Sequence, residues 1–218
     1  MTSGTGGAAG TFGRDFVDEL DQLLRWRRDV RRFRTDPVPS DVFDEILTAA
    51  ELSPSVGNSQ PWRWVQVISP ARRLAVTEVF ARCNARALDG YSGDRARTYA
   101  SLKLAGLDDA PVHLAVFCAP DPRQGAGLGR ATMPQTLEYS VVTAISTLWL
   151  AARARGVGIG WVSIIDPVEV RAALDVPADW TLVAYLCLGY PETLDATPEL
   201  ERLGWQDRTD PRARFQTR

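Results

Sequence analysis

The chain of 218 residues is poor in histidine, lysine and cysteine. Its one histidine is His113, so a metal site built from several histidines is excluded, and we expect no bound metal. A histidine-containing catalytic triad would have to use His113. This residue lies in an apolar run, 111–117, and we predict a core or sheet-edge position for it. Such scarcity of catalytic side chains favours chemistry that belongs to a borrowed cofactor.

The three cysteines, Cys83, Cys118 and Cys187, are odd in number and far apart. This pattern does not suit a disulfide framework and predicts a reducing, cytoplasmic location. No run of about twenty apolar residues is present, so we expect no membrane span. The net charge of −2 excludes a polyelectrolyte bias, so neither nucleic acid nor an anionic membrane is an expected partner.

Residues 1–13 are rich in small and polar residues and lack the basic start and apolar run of a signal peptide. We predict a disordered N-terminal tail there, followed by one domain over 14–218. The last part of that domain, 191–218, is polar. We expect it to be an extended C-terminal arm that wraps a partner subunit.

Predicted helices and strands alternate irregularly along the chain, which favours a mixed β-sheet over a purely parallel one. The expected helices cover 16–26, 40–52, 70–88 and 134–155, with a polar helical stretch over 90–107. The expected strands cover 62–68, 112–119, 158–165 and 180–190. Ser40, Ser69 and Asp166 are the predicted N-caps. Helix 134–155 is apolar nearly all round, as expected of a central or interface helix.

A basic cluster follows the first helix. Arg27, Arg28 and Arg31 surround one carboxylate, Asp29. Planar guanidinium groups suit a phosphate, which they bind in bidentate fashion. A solvated basic helix end, stabilised by the helix dipole, is the alternative.

A second unusual stretch is Ser-Pro-Ser-Val-Gly-Asn-Ser-Gln-Pro-Trp, residues 53–62. Its prolines, glycine and small polar residues cannot continue a helix. The backbone N–H groups and amide side chains of such a loop can bind a planar heterocycle. An ordinary helix-to-strand connection is the alternative.

Two further segments carry weaker signals. The glycine-rich residues 121–129 lack the lysine and hydroxyl residue of a P-loop, so a dinucleotide fold is rejected. The polar stretch 90–107 contains Lys103, the one lysine of the chain, and has the composition of a lid.

These segments together resemble the flavin-dependent nitroreductase superfamily over residues 15–208. The resemblance rests on Arg-Arg-x-x-Arg-x-Phe, the 53–62 loop and a long helix before Gly-x-Gly-Trp. Ordinary nitroreductases usually have serine in place of Asp29. The sequence is instead similar to the 5,6-dimethylbenzimidazole synthases at Arg-Arg-Asp-Val-Arg and in segments 53–57, 91–104, 129–135, 160–164, 188–190 and 198–205.

The resemblance implies an α+β fold with a mixed central β-sheet flanked by helices, and a homodimer with FMN at the subunit interface. It also implies that reduced FMN and molecular oxygen are consumed to make 5,6-dimethylbenzimidazole, the lower ligand of vitamin B12, and erythrose 4-phosphate. A flavin reductase or another source of reduced FMN is then required. The implied flavin-binding residues are Arg27, Arg28, Asp29, Val30, Arg31, Ser55, Gly57, Asn58, Gln60, Lys103, Gln135, Trp161, Ser163 and Arg208.

Two of these residues receive catalytic roles from the resemblance. Asp29 would take and return protons, with its arginine neighbours favouring the carboxylate. Ser163 would hydrogen-bond the reactive edge of the ring. The alternatives are an ion pair that orders the arginines for Asp29, and a hydroxyl satisfied inside the sheet for Ser163.

Two other functions stay open at this point. An NAD(P)H-dependent nitroreductase or quinone reductase is favoured by Asn58-Ser59, which resembles the general nitroreductase loop, and opposed by Asp29. A non-catalytic flavin-binding protein would hold FMN without reacting.

Overall fold

A computed structural model describes residues 10–102 and 106–218. The predicted tail is therefore covered only from residue 10, and Lys103 lies outside the described residues. The helices are α1 (Arg14–Trp26), α2 (Ser40–Ala50), α3 (Pro70–Leu88), α4 (Gly93–Ser101), α5 (Gly106–Asp109), α6 (Thr136–Ala154), α7 (Pro167–Leu174) and α8 (Glu199–Arg202). The strands are β1 (Trp62–Gln66), β2 (Val112–Cys118), β3 (Gly158–Val162) and β4 (Thr181–Gly189).

The four strands form one sheet in the order β1-β2-β4-β3, and each neighbouring pair is antiparallel. The α+β class is therefore confirmed, but the strands themselves do not form the mixed pairing that was predicted. Among the described residues, parallel pairing is confined to an isolated bridge between Asp29 and Ile159. Strands β2 and β3, which α6 separates in the sequence, do run in the same direction, but β4 lies between them and pairs antiparallel with both.

The central strand β2 is buried at every position, and its side chains alternate between two cores. Leu114 and Val116 face the core formed with α2 and α6. Ala115 and Phe117 face the core formed with α3 and α7. The position of α6 against the sheet agrees with the central helix predicted from its apolar surface.

The predicted caps are confirmed at two helices and wrong at one. The Ser69 hydroxyl accepts from the Arg72 nitrogen at 3.5 Å, and Asp166 accepts from the backbone nitrogens of the first turn of α7. Helix α2 instead has Pro39 at its N-cap, and Ser40, its first residue, makes no side-chain capping bond. Ser40 lies inside the first turn, so its hydroxyl is not at the N-cap position from which it could accept from the N–H groups of that turn.

The histidine is a core residue, as predicted. His113 is 1 % exposed, and its Nδ1 lies 2.9 Å from the Tyr185 hydroxyl. Burial and the nearby Arg73 cation lower the pKa of His113 to about 4, so the imidazole is neutral at physiological pH. No helix among residues 10–102 and 106–218 has the length and apolar character to cross a membrane.

The C-terminal arm was expected to be extended, yet it contains α8 and a short 3₁₀ turn at Pro211–Arg214. The beginning of the arm lies on its own chain, where Glu199 contacts Arg31 and Arg32. At the other end of the chain, α1 has no buried residue. Its apolar side chains Phe16, Leu20 and Leu24 are exposed.

Candidate active site

The basic segment lies directly beside β3. The Val30 nitrogen donates to the Ile159 carbonyl at 2.9 Å, and Phe33 forms a bridge to Pro191. This contact requires glycine in the strand, because a Cβ on Gly160 would lie 2.1 Å from the Val30 carbonyl oxygen. The Gly-x-Gly-Trp sequence therefore lets the segment that carries the arginines lie against the sheet.

Asp29 is fixed from two sides. Its Oδ1 accepts a 2.9 Å hydrogen bond from the Trp161 nitrogen, and its Oδ2 lies 3.5 Å from Nε of Arg31. Desolvation by the surrounding protein raises the pKa of Asp29 above its ordinary value. The contacts with Trp161 and Arg31 lower the pKa and oppose this effect only in part. Arg31 thus favours the carboxylate, as expected, but desolvation has the larger effect on the pKa of Asp29.

Arg31 is the buried cation of the segment. Its side chain is 12 % exposed, and Nε also lies 3.5 Å from the Glu199 carboxylate. Its Nη1 is buried and has no hydrogen-bond partner. A buried guanidinium N–H group without a partner is costly, so this atom suits a phosphate or hydroxyl oxygen of a ligand.

Asp29 and Arg31 open onto a cavity of about 440 Å³. Its polar lining consists of Asp29, Arg31, Asn84, Tyr99 and Ser163. Its apolar lining consists of Leu102, Trp149, Trp161, Ile164 and Leu200. A mostly apolar cavity with a few polar groups is typical of a site for an aromatic cofactor or substrate.

Ser163 follows directly after the last residue of β3, Val162, and it is exposed to the cavity. No hydrogen bond joins its hydroxyl to another residue in the part of the chain described. The alternative of a hydroxyl satisfied inside the sheet therefore does not fit its position. The side chain is available to a ligand.

The other predicted arginines lie beside the cavity. Arg28 donates from Nε to the Ala196 carbonyl at 2.9 Å and borders a groove of about 260 Å³ that Asp29 and Arg31 also border. Burial, together with the Arg208 and Arg27 charges, lowers the pKa of Arg28. The Arg27 guanidinium lies 5.0 Å from the Trp149 ring centre. The arginine cluster is therefore not the solvated basic helix end that was the alternative.

The predicted flavin loop lies elsewhere. Gln60 donates from its backbone nitrogen to the Ser55 hydroxyl at 3.0 Å and from Nε2 to Asn58 Oδ1 at 3.2 Å. Gly57 has a φ of +57°, and a Cβ there would lie 2.9 Å from the Leu128 carbonyl oxygen. This contact brings the loop against the glycine-rich segment, and none of these residues lines the cavity.

Gln135 is the N-cap of α6 and is exposed, and it does not line the cavity. Of the predicted residues, the structure thus brings Asp29, Arg31, Trp161 and Ser163 together. Val30 does not line the cavity, but its backbone hydrogen bond to Ile159 holds the basic segment against β3.

Several lining residues were not predicted. Asn84 lies within α3, and Leu200 lies in the arm. No motif marks Asn84, and Leu200 lies in segment 198–205, which carries part of the resemblance but was not predicted to line the site. Tyr99 falls in the predicted lid stretch, but nothing in its spacing singled it out. A polar asparagine in the middle of a helix was the one available signal.

Comparison with known proteins identifies the family of the chain. A family model described as "Nitroreductase family" matches residues 24–190. The chain is 58% identical over 197 residues to the 5,6-dimethylbenzimidazole synthase of Rhodospirillum rubrum, covering 90% of this chain and 93% of that protein. It is 52% identical over 190 residues to the enzyme of that name from Rhodobacter capsulatus, covering 87% and 92%.

Solved structures share the fold. Iodotyrosine deiodinase bound to FMN and 3-iodo-L-tyrosine superposes with a TM-score of 0.73 at 24% identity, covering 91% of this chain and 99% of that one. A putative NAD(P)H:FMN oxidoreductase from Staphylococcus epidermidis gives 0.68 at 18% identity, covering 97% and 99%. The chain therefore belongs to the nitroreductase family, and within it to the 5,6-dimethylbenzimidazole synthases.

Proposed function

We propose that this protein consumes reduced FMN and molecular oxygen and forms 5,6-dimethylbenzimidazole and erythrose 4-phosphate. The observation that carries the proposal is that Asp29, Arg31 and Ser163 face one cavity. The 58% identity to the Rhodospirillum rubrum synthase supports the choice of reaction. Reduced FMN is then the substrate, and it supplies both the ring that becomes the product and electrons for oxygen.

The residues present fit FMN. The partnerless Nη1 of Arg31 offers a buried donor to an oxygen of the phosphate or the ribityl chain. Arg27, Arg28 and Arg208 add positive charge beside it. The apolar cavity walls suit the ring system.

Asp29 is the proposed general acid and base. A raised pKa brings its proton affinity closer to neutral pH, which favours both uptake and return of a proton. The hydrogen bond from Trp161 holds Oδ1, and Oδ2 faces Arg31. Ser163 has a free hydroxyl with which to orient the ring. Both roles depend on the cavity that these side chains share.

A second copy of the chain is proposed to complete the site. Ser55, Gly57, Asn58, Gln60 and Gln135 do not line the cavity of their own chain. The neighbouring surface exposes Leu128, Met133, Tyr139 and Val142, and α1 exposes a further apolar face. Exposed apolar surface of this extent favours association, which would bring the loop of one copy to the cavity of the other.

The reducing equivalents are proposed to come from a separate flavin reductase or another source of reduced FMN. The proposed place of the reaction is the cytoplasm, because Cys83, Cys118 and Cys187 are all free thiols.

The test is one aerobic incubation of the purified protein with reduced FMN and NADPH, in which flavin and product are analysed by mass spectrometry and NADPH by its absorbance. We expect 5,6-dimethylbenzimidazole to form as the flavin disappears. Flavin that is cycled at the expense of NADPH would instead indicate a nitroreductase or quinone reductase. Flavin that is bound and unchanged would indicate a flavin carrier.

A further inference from the structure

A polar pair that the mechanism above does not use also lines the cavity. Asn84 of α3 and Tyr99 of α4 meet there, and the Tyr99 hydroxyl donates a 2.8 Å hydrogen bond to Asn84 Oδ1. This bond engages the oxygen of the amide. No described residue accepts a hydrogen bond from Nδ2, the other polar atom of Asn84. An N–H donor without a protein partner in a ligand cavity can serve recognition.

Tyr99 is held firmly in place. It is 8% exposed and stacks on Tyr91 with ring centres 4.9 Å apart, and the Trp205 ring lies 6.2 Å away. The Arg95 guanidinium covers Trp205 at 4.2 Å. Burial and the nearby Tyr91 raise the pKa of Tyr99, so the phenol remains a donor at neutral pH. The orientation of the Asn84 amide is therefore set by a fixed group.

Asn84 adds a property that the other polar lining groups lack. Asp29 and Arg31 are ionisable, and Ser163 has a hydroxyl that rotates. A neutral amide donor matches an uncharged acceptor. The isoalloxazine ring presents carbonyl oxygens and ring nitrogens of this kind.

We infer that Asn84 is a further ligand-binding residue of the cavity, which donates from Nδ2 to a carbonyl oxygen or ring nitrogen of the flavin, and that Tyr99 is its positioning residue. The identity of the ligand rests on the proposed function. The contact between Asn84 and the flavin is tested by measuring FMN affinity, which does not require the enzyme to turn over.

The experiment titrates the full-length protein with oxidised FMN and follows quenching of flavin fluorescence. Asn84→Leu removes the amide at similar volume. Asn84→Asp keeps an oxygen for Tyr99 and loses the N–H donor. We expect the Kd for FMN to rise roughly fivefold in both variants, the loss of one hydrogen bond.

Tyr99→Phe keeps the stacked ring and removes the hydroxyl. We expect a rise in Kd of roughly threefold in the parent background and none in the Asn84→Leu background, because a positioning residue acts only through its partner. Tyr91→Phe is the matched control. Tyr91 belongs to the same aromatic cluster but does not line the cavity, so its variant should bind FMN like the parent.

An unchanged Kd in both Asn84 variants overturns the inference. The same holds if these variants only lower the melting temperature, since the pair would then be structural. A parent that binds FMN but yields no 5,6-dimethylbenzimidazole would refute the proposed function, while the Kd values would still decide the role of Asn84.

Discussion

Gly160 and Val30 are in direct backbone contact, and this contact places Asp29. A Cβ on Gly160 would lie 2.1 Å from the Val30 carbonyl oxygen, and the next residue of the strand, Trp161, donates its 2.9 Å hydrogen bond to Asp29. The strand and the basic segment therefore cannot move apart without disturbing the carboxylate.

Gly160→Ala should damage both stability and activity. The added methyl group meets backbone rather than a flexible side chain, so we expect a loss of about 2–3 kcal/mol and a melting temperature roughly 5–10 °C lower. Product formation should fall as Asp29 shifts. Gly13→Ala is the control, since a Cβ there meets nothing within 4 Å. Equal melting curves for the two variants would disprove the packing argument.

Glu51 is predicted to hold both ends of the 53–62 loop. Its Oε1 accepts from the indole nitrogens of Trp62 and Trp64, each at 2.8 Å. Glu51→Ala leaves the buried Trp62 donor unpaired and should cost about 1–2 kcal/mol. Tryptophan fluorescence should change with it. Glu51→Gln keeps an acceptor and should lie close to the parent, and an equally stable alanine variant would contradict this role.

His113 should make the fold sensitive to acid. Because its folded pKa is lowered to about 4, the unfolded chain binds more protons between that value and 6.5. Stability should therefore fall as the pH falls through this window, by about 3 kcal/mol in total. Urea unfolding of the parent and His113→Gln at several pH values measures the difference. If the free energy of unfolding of the two proteins changed with pH in parallel, the proposed contribution of His113 would be contradicted.

Asp29 should have the opposite effect on stability. Its folded pKa is raised from 3.8, so the folded chain binds more protons above that pH. The stabilising effect of the protonated carboxyl is lost as the pH rises through the pKa of Asp29 in the folded state. Asp29→Asn does not titrate, so its stability relative to the parent should increase with pH from about 3.8 upward. A constant difference would show that the carboxylate is not desolvated.

Much of the fold could be predicted because apolar periodicity and capping signals are local. The segment order and the burial of His113 follow from such signals. Strand direction does not, since it depends on how the helices pack. The sequence also places Asp29 among arginines, but it does not show that desolvation outweighs their charge. Asn84 and Tyr99 meet only through the packing of α3 against α4, so no spacing rule could have paired them.

The most direct test of the central claim compares the parent with Asp29→Asn in a single aerobic turnover of reduced FMN. Product is measured by mass spectrometry, and FMN binding is measured in parallel by fluorescence. Since loss of a general acid and base typically costs a hundredfold or more, we expect Asp29→Asn to bind FMN and to form 5,6-dimethylbenzimidazole at no more than roughly 1% of the parent rate. A variant that binds FMN and is as productive as the parent would contradict the proposed role of Asp29.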